Sequence, residues 1–263
     1  MNHAQKSAIR RILYTDPVWA AYAIGDLQDA IFDQCEWYLE PGQRSDVEDD
    51  ALIMIYPGIQ PPVLFAIGSA EAVERALARV FAQSQPPTQV YFSIREEHEP
   101  VFARYYDASG DRRPMYRMVL RRRDPLELPA VGELVRLLPD DAPRLEALYA
   151  QGGDFAPDAF DPWQITNGVF YGIEANDGKL IAVGGTHIVD WDAGVAAIGN
   201  FYTEPAARRH GYASALLNAI VRDLRAAARE INAAIDGRGG GSETMIQGTA
   251  AAGRETIERY FGA

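Results

Sequence analysis

Seven consecutive residues of this 263-residue chain, Arg208, Arg209, His210, Gly211, Tyr212, Ala213 and Ser214, have the types needed to hold an anion. Two adjacent arginines and a histidine concentrate positive charge. Gly211 and Ala213 are small enough to let a ligand approach the backbone. If a helix opens at this point, its first N–H groups have no partner within the helix and its dipole presents the positive end. Together these features make a cradle suited to a pyrophosphate.

The flanking residues supply the elements that such a cradle needs. Residues 196–203 are apolar, aromatic and uncharged, as in a buried strand. Pro205 cannot continue a central strand, so the strand should end near Glu204. From Ser214 the period changes to 3.6. Leu217, Ile220, Val221 and Leu224 then share one face, and Arg222, Asp223 and Arg225 fall away from it. The spacing predicts a strand, a tight basic turn and an amphipathic helix.

Arg208-x-x-Gly211-x-Ala213, placed after Phe201-Tyr202-Thr203-Glu204-Pro205, resembles the acyl-CoA signature of GNAT-superfamily N-acetyltransferases. The resemblance extends over about residues 131–263. It includes a β-hairpin of residues 169–174 and 180–189, turned at Asn176-Asp177-Gly178. It implies acetyl-CoA as co-substrate and acyl transfer to a small primary amine. It also implies that main-chain atoms of Phe201, Tyr202 and Thr203 hold the pantetheine arm. The amides from Arg209 to Ser214 would hold the pyrophosphate, with the Arg208 and Arg209 side chains adding charge. The competing reading is an ordinary strand-to-helix turn with surface arginines.

Acyl transfer from a thioester to an amine needs a base for the amine and an acid for the leaving thiolate. Many members of the family use a carboxylate on the central strand. Residues 195–203 contain none, and Asn200 is the one strongly polar side chain there. His187, near the end of the preceding strand, is the candidate base because histidine titrates near neutrality. Its competing role is that of a hydrogen-bonded structural residue. Deprotonation through a water chain, or capture of a neutral amine, fits as well. The segment Thr256-Ile257-Glu258-Arg259-Tyr260 is similar to the family's last-helix pattern, which makes Tyr260 the candidate acid, or else a terminal packing residue.

The chain divides into two halves with a polar linker near residues 121–129. The first, residues 1–125, alternates helices (7–27, 70–83, 98–106) with strands (35–39, 51–56, 63–67, 89–94, 115–120), an α/β pattern. Its strand at 89–94 is followed by Arg95-Glu96-Glu97-His98-Glu99, which is acidic and lacks glycine. That half reads as a non-catalytic partner domain. The second half, residues 131–263, begins with a strand at 135–137 and a helix at 140–149, and residues 151–166 read as an irregular loop. The expected fold is α/β of the α+β type. By the resemblance, a GNAT-like mixed sheet flanked by helices follows a smaller, degenerate GNAT-like domain. The end departs most from the family. Residues 236–242 read DGRGGGS, residues 244–249 make a weak strand, and the chain stops where a final strand should begin. Either another chain, as in a homodimer, or another element then covers the sheet edge, or the site is incomplete.

Bulk properties narrow the classes. At 48% hydrophobic and 24% charged residues the chain is globular. The formal charge of −12 argues against non-specific nucleic-acid binding. No apolar run approaches the ~20 residues of a membrane helix, and no apolar signal core opens the sequence. Cys35 is the lone cysteine, which forbids an internal disulfide and disfavours a cysteine-based metal site. These features favour a cytoplasmic protein without a metal.

Overall fold

Ser69 opens a 14-residue helix, and its hydroxyl accepts a hydrogen bond from Ala72 N at 3.3 Å. Ala72, Val73, Ala76, Leu77 and Val80 then bury the helix's apolar face. This local logic builds the first of two units, Met1–Arg112, in the computed structural model; the second is Arg113–Ala263. The structure describes residues 3–42, 49–107, 115–120, 131–153, 156–157, 160–235 and 245–251.

The first unit runs α1 (His3–Leu13), α2 (Ala21–Gly25), α3 (Asp29–Phe32), β1 (Glu36–Glu40), β2 (Ala51–Tyr56) and β3 (Val63–Ile67). It continues with α4 (Ala70–Gln83), β4 (Tyr91–Ser93) and α5 (Glu99–Phe102). The sheet order is β1-β2-β3-β4, with the first two pairings antiparallel and β3–β4 parallel. Its core joins Ile53, Ile55, Leu64 and Ala66 of the sheet to Val73, Leu77 and Val80 of α4, and to Val101 and Phe102 of α5. The helix expected at 98–106 is a single turn, Glu99–Phe102, with Pro100 in the first turn where its missing N–H costs nothing, and it is preceded by the 3₁₀ turn Glu96–His98.

The second unit contains β5 (Met115–Val119), β6 (Leu134–Arg136), α6 (Ala142–Tyr149), α7 (Trp163–Thr166) and β7 (Tyr171–Glu174). It continues with β8 (Leu180–Asp190), β9 (Val195–Thr203), α8 (Tyr212–Ile235) and β10 (Met245–Ala251). Its sheet has the order β5-β10-β9-β8-β7-β6. β7–β8 and β8–β9 are antiparallel, and β9–β10 is parallel. This is the pairing sequence of β1 to β4, so the two units repeat one topology. Buried residues of α8, among them Leu216, Leu217, Ile220 and Leu224, pack on one cluster with Val189, Ala196, Ile198 and Phe201. A separate cluster joins Leu145, Leu148 and Tyr149 of α6 to Phe170, Val183 and Tyr202.

Two differences from the sequence reading bear on the site. The unit boundary falls at 112/113, earlier than residue 125, because the strand at 115–119 pairs with β10 in the second sheet. Its sequence announces a strand but not which sheet it joins. The same pairing answers the question of the sheet edge: an element of this chain covers it.

The second difference concerns the first unit's counterpart of the basic turn. The crossover helix there is α4, between the parallel strands β3 and β4, so the equivalent turn is Gly68-Ser69 rather than residues 95–99. Those residues follow β4, the counterpart of β10. Gly68 has φ +128°, and a Cβ there would lie 2.8 Å from Ala51 Cβ. His98 is fully buried, and its Nε2 donates to Gly68 O at 2.9 Å.

Candidate functional site

The site is built where a parallel pair of strands comes apart. β9 and β10 are matched from Val195 with Met245 to Ile198 with Gly248, and there the ladder ends. Beyond it β9 continues along β8, with Tyr202 opposite Val183 and Thr203 opposite Ala182. Residues 249–251 of β10 continue along β5 instead. A fork opens after Ile198, and its edges are strand backbone with no ladder across it. Such groups must find other partners.

β9 distorts at the same point. Asn200 has φ +58°, and the register against β8 shifts between Val183 and Gly185. A bulge of this kind re-aims the residues around it. It is held from the side: the buried Tyr149 hydroxyl donates to Asn200 O at 2.7 Å. Asn200 Nδ2 donates to Gln164 Oε1 of α7 at 3.0 Å. Burial pushes the Tyr149 hydroxyl pKa well up, so it stays a donor. Two buried polar atoms, Asn200 Oδ1 and Tyr202 Oη, have no hydrogen-bond partner among the described residues. The Phe201 side chain packs on the α8 side and that of Tyr202 on the α6 side. Their side chains are committed to the two cores, so only main-chain atoms are left to face the fork.

His187 lies at the fork as well. It sits in a second irregularity, between Thr186 opposite Ile198 and Ile188 opposite Ala197. Its Nε2 is 1.9 Å from where a Cβ on Gly199 would stand. The half-buried imidazole therefore packs directly on the residue that follows the last β9–β10 pair. Asp190 accepts from Ala193 N at 2.9 Å, so it shapes the β8–β9 turn as its sequence position implies.

The basic turn follows β9 with no break. Pro205–Ala207 form a 3₁₀ turn, Arg209 has φ +70°, and Gly211 has φ +82°. Ala215 N donates to Gly211 O at 3.1 Å, so α8 starts its own ladder there. The amides of Tyr212, Ala213 and Ser214 precede that ladder, as at any helix N-terminus. Arg208, Arg209, His210 and Gly211 are exposed. Arg208 Nε donates to Thr203 O at 3.0 Å, which ties the turn to the end of β9. His210 Nδ1 donates to Ala207 O at 3.2 Å, and its ring stacks on Tyr212 with centroids 5.6 Å apart. α8 is fixed to the sheet by the Tyr171 hydroxyl, which donates to Asp223 Oδ2 at 2.6 Å.

Residues 134–236 match the model of the acetyltransferase (GNAT) family. The C-terminal unit is a GNAT-family domain. No curated protein matches the sequence. Among solved structures, a GCN5-related N-acetyltransferase from Kribbella flavida is similar over 92% of this chain and 90% of its own. It has 17% identity and a TM-score of 0.51. A Drosophila protein is similar over 96% of this chain and 84% of its own, with 17% identity and a TM-score of 0.59. Both likenesses span the two units, so the whole chain has a tandem GNAT fold.

Of the residues singled out in the sequence, the structure places Phe201, Tyr202, Thr203 and the turn from Arg208 to Ser214 at and after the C-terminal end of β9, and His187 beside Gly199, near the middle of that strand. Tyr260 lies outside the described residues. The sequence reading missed the support of the bulge by Tyr149 and Gln164. Gln164 belongs to α7, a single turn inside the segment read as irregular. Its one signal was Asn200, a polar side chain in an otherwise apolar strand.

Proposed function

We propose that the GNAT domain transfers an acyl group, acetyl in the simplest case, from acyl-CoA to a small primary amine. The observation that supports this most is the fork after Ile198, which leads directly into the positive-φ turn that opens α8. The fork offers unladdered backbone to an extended pantetheine arm. The turn offers α8's first amides, with Arg208 and Arg209, to the pyrophosphate.

In this reading the amine attacks the thioester carbonyl at the fork. The carbonyl carbon becomes tetrahedral, and the C–S bond then breaks to release CoA thiolate. His187, packed on Gly199, takes the proton that the amine loses. Tyr260 is the proposed proton donor to the thiolate. β9 carries no carboxylate, which favours a second reading, a CoA-binding module with weak or no catalysis. The N-terminal unit is proposed to be non-catalytic. Its equivalent helix start is already capped by Ser69 and carries Glu71 in its first turn.

Calorimetric titration of the full chain with acetyl-CoA, followed by thiol release against a panel of amines, tests these readings. Binding with amine-dependent release supports the transferase. Binding without release across the panel supports the binding module, and no binding overturns both.

A further inference from the structure

The strand that completes this GNAT sheet lies before the family-matched segment. β10 is paired with β9 only as far as Gly248 opposite Ile198. On its other edge it is paired with β5 from Gln247 opposite Val119, past Thr249 opposite Arg117, to Ala251 opposite Met115. Residues 249–251 therefore form the second arm of the fork, and among the described residues β5 is the one strand alongside them. Without β5 those three residues would have no ladder on either edge, and nothing would keep their backbone groups satisfied in an extended form. β5 is itself anchored. Met118 is buried in the same cluster as Ile198, Phe201, Leu216 and Ile220, so the strand beside the outer arm and the central strand share one core.

We propose that β5 is the positioning strand of the acyl-CoA cleft: it fixes where the β10 arm stands relative to β9 and so sets the opening of the fork. The proposal rests on reading the fork as the acyl-CoA site. It also means that the functional GNAT unit begins before residue 115, not where the family match begins.

Two measurements on the full chain test it, with CoA as the probe. In hydrogen exchange, CoA should slow the amides of residues 199–214, and also those of 245–251 and 115–119. Protection confined to 199–214 overturns the role of β5 and leaves the acyl-CoA reading standing. No protection anywhere, with no heat of binding, overturns both. The second measurement uses Tyr116→Pro and Arg117→Pro. On an edge strand adjacent N–H groups point alternately to the neighbour and to solvent. One substitution removes a ladder donor and the other does not. One variant should lose about tenfold or more in CoA affinity while the other stays within about threefold of wild type, since cleft geometry decides binding. Wild-type affinity in both, or equal loss in both, overturns the proposal. Where a variant fails to fold, the exchange experiment on the wild-type chain decides.

Discussion

Gly211 meets two demands, and substitutions can separate them. Its φ of +82° is a conformation that L-residues adopt at a cost of about 1–2 kcal/mol. Among the described residues, a Cβ there would meet only Val131 Cγ1, at 3.4 Å. Gly211→Ala therefore measures the backbone strain alone, and Gly211→Glu adds a negative charge where an anion should sit. Titration should show CoA affinity at least about tenfold lower in the glutamate variant than in the alanine one. Equal affinities would remove the turn from the binding site. Tyr149 tests the other side of the fork. Tyr149→Phe keeps the ring and leaves the buried Asn200 carbonyl without its donor. An unmet buried group costs about 1–3 kcal/mol, so the denaturant midpoint should fall by the corresponding amount. An unchanged midpoint would mean that another donor reaches Asn200 O.

At the scale of elements, the repeated β-β-β-α-β order invites the expectation of two ligand sites, and the turns argue for one. The turn before α8 is open, basic and eight residues long, from Glu204 to Gly211. The turn before α4 is Gly68-Ser69, closed by the serine's own hydroxyl. A saturating CoA titration should give one site per chain, and a stoichiometry near two would contradict the proposed division of labour. Much of this was legible locally. β2, β3 and α4 lie at 51–56, 63–67 and 70–83, as their short apolar runs and helical period imply. β9 and α8 follow from an uncharged run, Pro205 and a switch of period at Ser214. What was not legible is partnership over distance. MYRMV at 115–119 says strand, but the choice between two sheets depends on β10. That strand, MIQGTAA, is rich in small residues and carries a glycine, so it announces itself weakly. His187 is legible as a titrating residue, yet only the β8 irregularity places it over Gly199. The single-turn α7 is too short for any period to show.

For the molecule as a whole, stability should depend on pH through the first unit. Asp26 is buried, and burial pushes its carboxyl up to about 7. Its own burial first, and then the charge of Asp26, push the Cys35 thiol up as well. Because the folded pKa is raised, the native state keeps a proton that the unfolded chain releases. The associated stability is fully present below the ordinary carboxylate pKa and is lost as pH rises through about 7. Between pH 5 and 8 the loss should be on the order of 2–3 kcal/mol. In Asp26→Asn the pH dependence of the denaturant midpoint should flatten, and an identical slope would assign it elsewhere. The pairing of β5 with β10 bears on how the chain is made. β5 leaves the ribosome before every other strand of its sheet, and its neighbour β10 leaves after all of them. Val119 must wait for Gln247 while β6, β7, β8 and β9 are synthesised in between. Closing so long a loop is entropically costly and comes late. The six-stranded sheet cannot be finished before β10 is made, and until β10 arrives β5 is an unpaired edge of the kind that chaperones guard.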